Sequence, residues 1–397
     1  MEELLEISEK LVAGVPMDFK RYLYPAITQK ERLVGMKGPR GTGKTTLILQ
    51  FLAELNMPAS RAAYFSLDEL YFTTHSLVDT AKRFYQEGGK ILMLDEVHKY
   101  PRWAAEIKNL YDRYHDLQII FTGSSIMDIS RQEGDLSRRA VMYELRGLSY
   151  REYLAFFHGQ YFPALKLKQV ISSDDPLRNL FPPDFKPLAF FKDFIKYGYY
   201  PFSLSDRESY YQKLRQLVRT VVEYDMAEVK GFDIRHAKKM LQLLYVVAQQ
   251  VPFKPNINNL AVKTNIHRNS INNYLFFLHE ARLIHLLYPE GTSVATLQKP
   301  EKIYLENTNL LYALSEKEPS SGTVREVFFN NQLNAVHRVN HSPKTDFTVD
   351  GQYHFEIGGK TKGRKQIADI SKAWIIKDDL EYPAGQTLPL WIFGFLY

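Results

Sequence analysis

The chain has 397 residues, 14% of them aromatic, and a net charge of +6 at pH 7. It has no cysteine, which excludes a disulfide framework, a cysteine nucleophile and a thiolate metal site. The acidic N-terminal segment does not have the pattern of a signal peptide, and no run of about 18 apolar residues occurs. We therefore expect a cytoplasmic protein without a membrane partner.

The first motif is a glycine-rich segment between a predicted strand, residues 32–37, and a predicted helix, residues 46–55. It matches the pattern G-x-x-x-x-G-K-[ST], in which backbone N–H groups and a helix N-terminus surround phosphate oxygens. Lys44 is expected to contact the β- and γ-phosphates, and the Thr45 hydroxyl to bind Mg²⁺. We expect the Arg40 side chain to be exposed. The predicted nucleotide-binding residues are Gly38, Pro39, Arg40, Gly41, Thr42, Gly43, Lys44, Thr45 and Thr46.

The second motif is the apolar run KILMLDE, residues 90–96, which is typical of a buried parallel strand ending in two carboxylates. Ligands of open parallel sheets bind at the carboxyl ends of the strands. Asp95 is therefore predicted to hold Mg²⁺, and Glu96 to polarise the attacking water as a general base. The alternative is two solvated acids at the start of the next helix.

The third motif, LQIIFTGSS over residues 117–125, is another apolar strand that ends in small polar residues. A polar side chain here would sense the γ-phosphate, and of Thr122, Ser124 and Ser125 we prefer Ser124. An ordinary turn is the alternative. Arg138 or Arg139 is predicted to stabilise transition-state charge on the γ-phosphate, in cis or from a neighbouring copy, and a surface arginine pair is the alternative.

With a further strand at residues 64–67, the alternation of strands and helices predicts a doubly wound α/β domain. GPRGTGKTT, ILMLDEVHKYPRWAAEIKNLYD, IIFTGSS, LSRRAVMYELRGLSYREYL and FIKYGYYPF together resemble a family of prokaryotic AAA-type ATPases. In that family a P-loop core precedes a C-terminal region of unknown function, often of degenerate restriction-endonuclease type. The resemblance implies ATP binding and hydrolysis, and a helical lid. We predict four domains: residues 1–150, the ATPase; 151–230, the lid; 231–306, a winged-helix-like module; and 307–397, nuclease-like.

Residues 231–306 are predicted to form three helices and a two-stranded hairpin, the pattern of a winged helix-turn-helix. Between residues 231 and 300, eight Lys or Arg stand against three acids. The third helix, residues 268–281, would bury Ile271, Leu275 and Leu278 on one face. Its start would present polar side chains to phosphates and base edges. They are Arg268, Asn269, Asn272 and Asn273.

The C-terminal region carries three acids with nuclease-like spacing. Glu326 lies in a predicted helix, Asp346 begins a strand, and Glu356 ends a strand after a turn at Asp350-Gly351. Such nucleases hold a metal with an Asp and an E-x-K pair. Here the position of that lysine is Gly358, so we expect an inactive domain. A flexible Gly358-Gly359 would be needed to bring Lys360 back to this position. Residues 360–365 are instead expected to hold a phosphate backbone or an acidic partner, and their basic residues are Lys360, Lys362, Arg364 and Lys365.

We therefore predict an ATPase that binds ATP or ADP with Mg²⁺ and couples hydrolysis to switching of the C-terminal modules. The first alternative is an ATP-gated protein that binds DNA through residues 256–290. The second is an ATP-regulated, metal-dependent nuclease. A protein partner and a homo-oligomer remain open, and His98 is expected to be structural or exposed.

Overall fold

The computed structural model describes residues 1–27, 31–123, 136, 138–172, 181–204, 207–226, 234–291, 300–359 and 362–397. The chain divides into two compact units. The first comprises Met1–Gly147 and Thr220–Ile234, and the second comprises Leu148–Arg219 and Arg235–Tyr397. The boundaries of the four predicted domains stay a prediction.

A parallel sheet forms the centre of the first unit. Its order is β2-β3-β4-β1-β5, and each neighbouring pair is parallel. The strands predicted around residues 32–37, 64–67, 90–96 and 117–125 are confirmed within a few residues. The bounds are β1 Leu33–Lys37, β2 Ala62–Ser66, β3 Ile91–Asp95, β4 Gln118–Gly123 and β5 Val141–Glu144.

Helices cover both faces of this sheet, because alternate strand residues point to opposite sides. Leu92 and Leu94 pack in one cluster with residues of α4 and α5, whereas Ile91 and Met93 pack in another with residues of α3. This confirms the doubly wound α/β class. The helices are α1 Glu2–Ala13, α2 Tyr24–Ile27, α3 Lys44–Leu55, α4 Leu77–Gln86 and α5 Trp103–Arg113, with 3₁₀ turns at Leu70–Thr73 and Val97–Lys99 and a π-helical turn at Val221–Asp225.

The strand order positions the functional motifs. Strands β3, β4 and β1 are consecutive neighbours, so their carboxyl ends lie side by side at one edge. Met36 of β1 is paired with Thr122 of β4, and Asp95 ends β3. Segments far apart in sequence therefore meet where ligands of such sheets bind.

The second unit begins with a helical region. The Ser149 hydroxyl caps the first of these helices by accepting from Glu152 N–H at 3.1 Å, and Glu152 in turn accepts from Ser149 N–H. The helices are α6 Tyr150–His158, α7 Leu167–Ile171, α8 Phe191–Tyr197, α9 Arg207–Thr220, α10 Ala237–Ala248, α11 Ile257–Thr264, α12 Arg268–Glu280, α13 Thr308–Leu314 and α14 Ser321–Leu333, with 3₁₀ turns at Pro201–Leu204, Ile234–His236, Arg364–Ile367 and Leu390–Phe395.

Helices α10, α11 and α12 precede an antiparallel pair, β6 Ile284–Leu287 and β7 Lys302–Leu305. Ile271, Leu275 and Leu278 of α12 are all buried, as the apolar spacing predicts. These three helices and two strands agree with the elements expected for residues 231–306.

A mixed sheet ends the chain, in the order β12-β11-β10-β9-β8. Asp350 and Gly351 both have positive φ, 51° and 67°, and form the predicted turn between β9 and β10. Phe329 of α14 packs on this sheet against Phe347 and Phe355. No helix within the described ranges has both the length and the apolar character needed to cross a bilayer. The strands are β8 Val339–His341, β9 Phe347–Val349, β10 Tyr353–Gly358, β11 Ala373–Lys377 and β12 Thr387–Pro389.

Candidate functional site

The glycine-rich loop connects β1 to α3 and has the backbone that its sequence requires. Gly41 and Gly43 adopt positive φ, 79° and 92°, a region that residues with a side chain rarely adopt. The chain then enters α3 at Lys44, so the N–H groups at the start of this helix face the loop. Thr46 is exposed in the first helical turn. The loop therefore has the geometry of a phosphate cradle.

Lys44 is the buried cation of this loop. Its ammonium group donates to the carbonyl oxygens of Gly38 and Pro39, each at 2.9 Å. Burial lowers the pKa of Lys44, whereas the carboxylates of Glu96, Asp95 and Asp225 act in the opposite direction. The loop thus holds a positive charge close to acids contributed by two other segments.

Asp95 is the focus of a hydroxyl network at the carboxyl end of β3. Thr45 Oγ1 donates to Asp95 Oδ2 at 2.6 Å, and Tyr64 OH donates to the same oxygen at 2.9 Å. Thr122 Oγ1 donates to Asp95 Oδ1. Asp95 is 1% exposed, and such a buried carboxylate is stable only when its oxygens are satisfied. The two residues predicted to bind Mg²⁺, Thr45 and Asp95, are thus in direct contact.

Glu96 follows Asp95 in a strained conformation. Its φ is 51°, in the left-handed region, which costs a non-glycine residue about 1–3 kcal/mol. Its carboxylate lies 3.4 Å from Nε2 of His98, a side chain with no solvent exposure. Burial, followed by the charges of Lys99, Lys44 and Arg40, lowers the pKa of His98 to about 3. His98 is therefore a buried neutral imidazole beside the predicted general base. Of the two expectations for this histidine, structural or exposed, burial agrees with the structural one.

The structure gives a different result for each residue that was predicted to sense or to stabilise the γ-phosphate. Ser124, the preferred sensor, and Ser125 lie outside the described residues, whereas Thr122 contacts the site through Asp95. Arg139 makes a bidentate contact with Asp112, at 2.8 and 3.0 Å. Arg138 is exposed.

Arg40 was expected to be exposed, but it is only partly so. Its guanidinium donates to Asp225 Oδ1 at 2.8 Å, and this ion pair holds the side chain against the protein. The sequence could not reveal this pair, because its partner is 185 residues away and lies in no motif.

Two further residues escaped the sequence analysis. Arg21 is buried and donates to the backbone carbonyl of Thr42 in the loop and to those of Arg146 and Gly147, the latter two at 2.7 and 2.9 Å. Tyr64 lies in a predicted strand, so period-2 alternation placed it on a sheet face without revealing its contact with Asp95. Arg21 thus braces the phosphate loop, and Tyr64 positions Asp95.

The three acids of the C-terminal region are neutralised by lysines. Lys302 Nζ lies 3.0 Å from Glu326 and 3.4 Å from Asp346. Burial lowers the pKa of Lys302, but these two carboxylates outweigh burial and leave the pKa raised. Lys362 pairs with Glu356. Within the described parts of the chain, no group of three or more His, Asp or Glu side chains could hold a metal ion.

Lys362 also stands where the nuclease pattern needs its lysine. A Cβ at Gly358 would lie 2.4 Å from Cβ of Lys362, so the stem of Lys362 covers this glycine while its ammonium reaches Glu356. Lys360, the residue that the sequence analysis considered as a replacement for this lysine, lies outside the described residues. Lys362 therefore covers the position of the missing lysine, but its ammonium is paired with Glu356 and neutralises that carboxylate.

Helix α12 presents the predicted polar face to solvent. Arg268, Asn269, Asn272 and Asn273 are exposed, and they lie opposite the buried apolar face of the same helix. Arg268 also lines a shallow cleft of about 450 Å³ with Lys254, Asn256 and Asn258. Lys254 is paired with Glu301 at 2.6 Å, which reduces the net positive charge of this cleft.

Comparison with known families gives two matches. Residues 30–154 match the model of an AAA domain, which spans the phosphate loop, Asp95 and the arginine pair. Residues 189–321 match a domain of unknown function, DUF8612. An uncharacterized protein of Methanocaldococcus jannaschii is 27% identical over 406 residues, which cover 92% of this chain and 85% of that protein.

A search of solved structures matches a Walker-type ATPase of Pyrococcus abyssi, with a TM-score of 0.47 and 15% identity over 77% of this chain and 99% of that one. Another is AMPPCP-bound DnaA from Aquifex aeolicus, with a TM-score of 0.27 and 16% identity over 70% of this chain and 88% of that one.

Proposed function

Because this chain is an AAA-type P-loop protein with a C-terminal region of unknown function, we propose that it binds ATP with Mg²⁺ and hydrolyses it. The observation that carries the proposal is the 2.6 Å contact between the Thr45 hydroxyl and the Asp95 carboxylate, beside Lys44 in its cradle. These are hard oxygen donors, which fit Mg²⁺. The ion would neutralise developing charge on the phosphates.

Each residue has a separate role in the proposed reaction. Backbone N–H groups of residues 38–45 and the Lys44 ammonium bind the phosphates and orient the terminal one. Glu96 accepts a proton from the attacking water. Thr122 holds Asp95 in place, and Arg138, which is exposed, stabilises terminal-phosphate charge from a neighbouring copy. Turnover is expected to be slow, and to drive switching of the C-terminal modules.

The test measures ATP and ADP binding and phosphate release by the purified protein, beside the variants Lys44→Ala and Glu96→Gln. Lys44→Ala should lose nucleotide binding, whereas Glu96→Gln should bind and fail to hydrolyse. Absence of nucleotide binding by the unaltered protein would reject the proposal. Binding without turnover under any condition would reject the role of Glu96 alone.

DNA binding through residues 256–290 is a second candidate, favoured by the exposed polar face of α12. An arginine and three asparagines on one helical face suit phosphate and base-edge contacts. Retention on duplex DNA should fall with salt and fall again in Arg268→Ala. Lys239→Ala, an exposed cation on α10, serves as the control. Equal retention by both variants would leave a protein partner as the better hypothesis.

A further inference from the structure

A carboxylate from a distant segment lies against the phosphate loop. Arg40, the third residue of the loop motif, donates through Nη1 to Asp225 Oδ1 at 2.8 Å. The Asp225 side chain is 4% exposed, whereas that of Arg40 is 39% exposed. The acid is thus the deeply placed partner, and the arginine covers it from the solvent side.

The second carboxylate oxygen of Asp225 lacks a hydrogen-bond donor among the described residues. Oδ2 is buried and accepts no hydrogen bond from any residue that the structure describes. Burial raises the pKa of Asp225, and the charges of Arg40, Lys99 and Lys44 oppose this shift. A buried carboxylate with one unsatisfied oxygen is unfavourable and persists only where surrounding charges hold it.

Asp225 interacts with two charged residues of the phosphate loop, Arg40 and Lys44. Asp225 influences the charge of Lys44, the residue that meets the β- and γ-phosphates in a loop of this kind. It also occupies the guanidinium of a loop residue. Its carboxylate therefore lies against the phosphate loop, in contact with Arg40.

The backbone that carries Asp225 is unusual. Val221–Asp225 forms a π-helical turn that directly continues α9. Within this turn the side chains of Val221 and Val222 are buried, as is that of Asp225. Turns of this type are uncommon and often occur at functional sites, because they hold an extra residue at a cost in backbone energy. Release of Asp225 would therefore relieve an unfavourable local arrangement.

We propose that Asp225 is a nucleotide-site residue that occupies Arg40 in place of a terminal phosphate, and that ATP, but not ADP, must displace it. A terminal phosphate bound by Arg40 would lie next to the buried Asp225 carboxylate, and the two negative charges would repel each other. Displacement by the third phosphate would free the turn at residues 221–225 and the end of α9. The site would then distinguish nucleotides by their number of phosphates. This inference rests on the proposed nucleotide-binding function.

The experiment compares dissociation constants for ADP and for a non-hydrolysable ATP analogue in the unaltered protein and in Asp225→Asn. The asparagine keeps the shape of the side chain and removes its charge. Affinity for the ATP analogue should rise about tenfold and that for ADP by less than about threefold. Asp193→Asn breaks another aspartate–arginine pair, with Arg207 at 2.8 Å in the second unit, and should change neither constant.

The outcomes separate the two proposals. If neither protein binds nucleotide, the proposed function and this inference both fail. If the unaltered protein binds nucleotide and Asp225→Asn leaves the ratio of the two constants unchanged or reverses it, only the inference fails. Hydrogen exchange of residues 220–226 in the unaltered protein gives a second readout. Exchange should be faster with the ATP analogue than with ADP, and equal exchange with both would overturn the inference.

Discussion

The hydroxyl of Tyr64 donates to Asp95 Oδ2 at 2.9 Å, from the neighbouring strand of the parallel sheet. The same oxygen accepts from Thr45, the predicted Mg²⁺ ligand in the phosphate loop. Tyr64 therefore orients the carboxylate of the proposed Mg²⁺ site, and it does so without belonging to any sequence motif.

Tyr64→Phe should weaken the binding of ATP in the presence of Mg²⁺ by about 3- to 10-fold, because it removes one hydrogen bond to a charged group. Binding without Mg²⁺ should change little. Calorimetry with and without Mg²⁺ measures the difference. Tyr85→Phe is the matched control, since Tyr85 OH donates to the exposed Asp116 at 2.5 Å. Equal losses in both variants would show that Tyr64 does not act through Asp95.

Glu96→Gln should reduce phosphate release by about 100-fold or more while leaving ATP affinity nearly unchanged, because general bases contribute about that much. The glutamine keeps the size of the side chain and removes its basicity. Glu87→Gln changes an exposed acid in the same unit and should have no effect. Unchanged hydrolysis in Glu96→Gln would contradict the assignment of the general base.

Arg138→Ala should reduce hydrolysis about 1,000-fold or more, which is the effect of removing an arginine supplied to the terminal phosphate. Arg139→Ala should have a smaller effect, because its guanidinium is already bound by Asp112. If Arg138 acts on a neighbouring copy, the specific activity of the unaltered protein should rise with protein concentration, and the Arg138→Ala protein should lose that rise. The reverse ranking of the two variants would assign the role to Arg139.

The buried His98 should make folding stability depend on pH. Its folded pKa is about 3, below the ordinary value of 6.5, so the unfolded chain takes up a proton first as the pH falls. Stability should therefore decrease from about pH 6.5 towards pH 3, with a slope of up to about 1.4 kcal/mol per pH unit. Urea unfolding between pH 7 and pH 5 should show a smaller slope in His98→Gln. His75→Gln alters an exposed histidine and serves as the control; a slope unchanged in His98→Gln would contradict this origin.

Supercoiled plasmid should remain intact with Mg²⁺ or Mn²⁺ in both the unaltered protein and Glu356→Ala. Glu326 and Asp346 share Lys302, and Glu356 is paired with Lys362, so the carboxylates that a metal would need are already neutralised. Gel electrophoresis with and without ATP measures nicking. Nicking that disappears in Glu356→Ala would establish the nuclease alternative.

Much of the first unit could be predicted from the sequence. Phosphate loops need glycines where φ is positive, as at Gly41 and Gly43. These glycines can be recognised directly in the amino-acid sequence. The apolar run before Asp95 reads as a buried strand because both faces of a parallel sheet are covered. The helix of residues 268–280 could also be oriented from its sequence, because apolar residues three or four positions apart lie on one face of a helix.

The sequence by itself thus determined the local elements, the phosphate loop and the identity of the acids after β3, because these depend on residues close together in the chain. Only the tertiary structure decided which side chains meet. Tyr64 reaches Asp95 because β2 and β3 are neighbours, Asp225 reaches Arg40 across 185 residues, and Lys362 covers Gly358. Such contacts depend on strand order and packing, which local patterns do not encode.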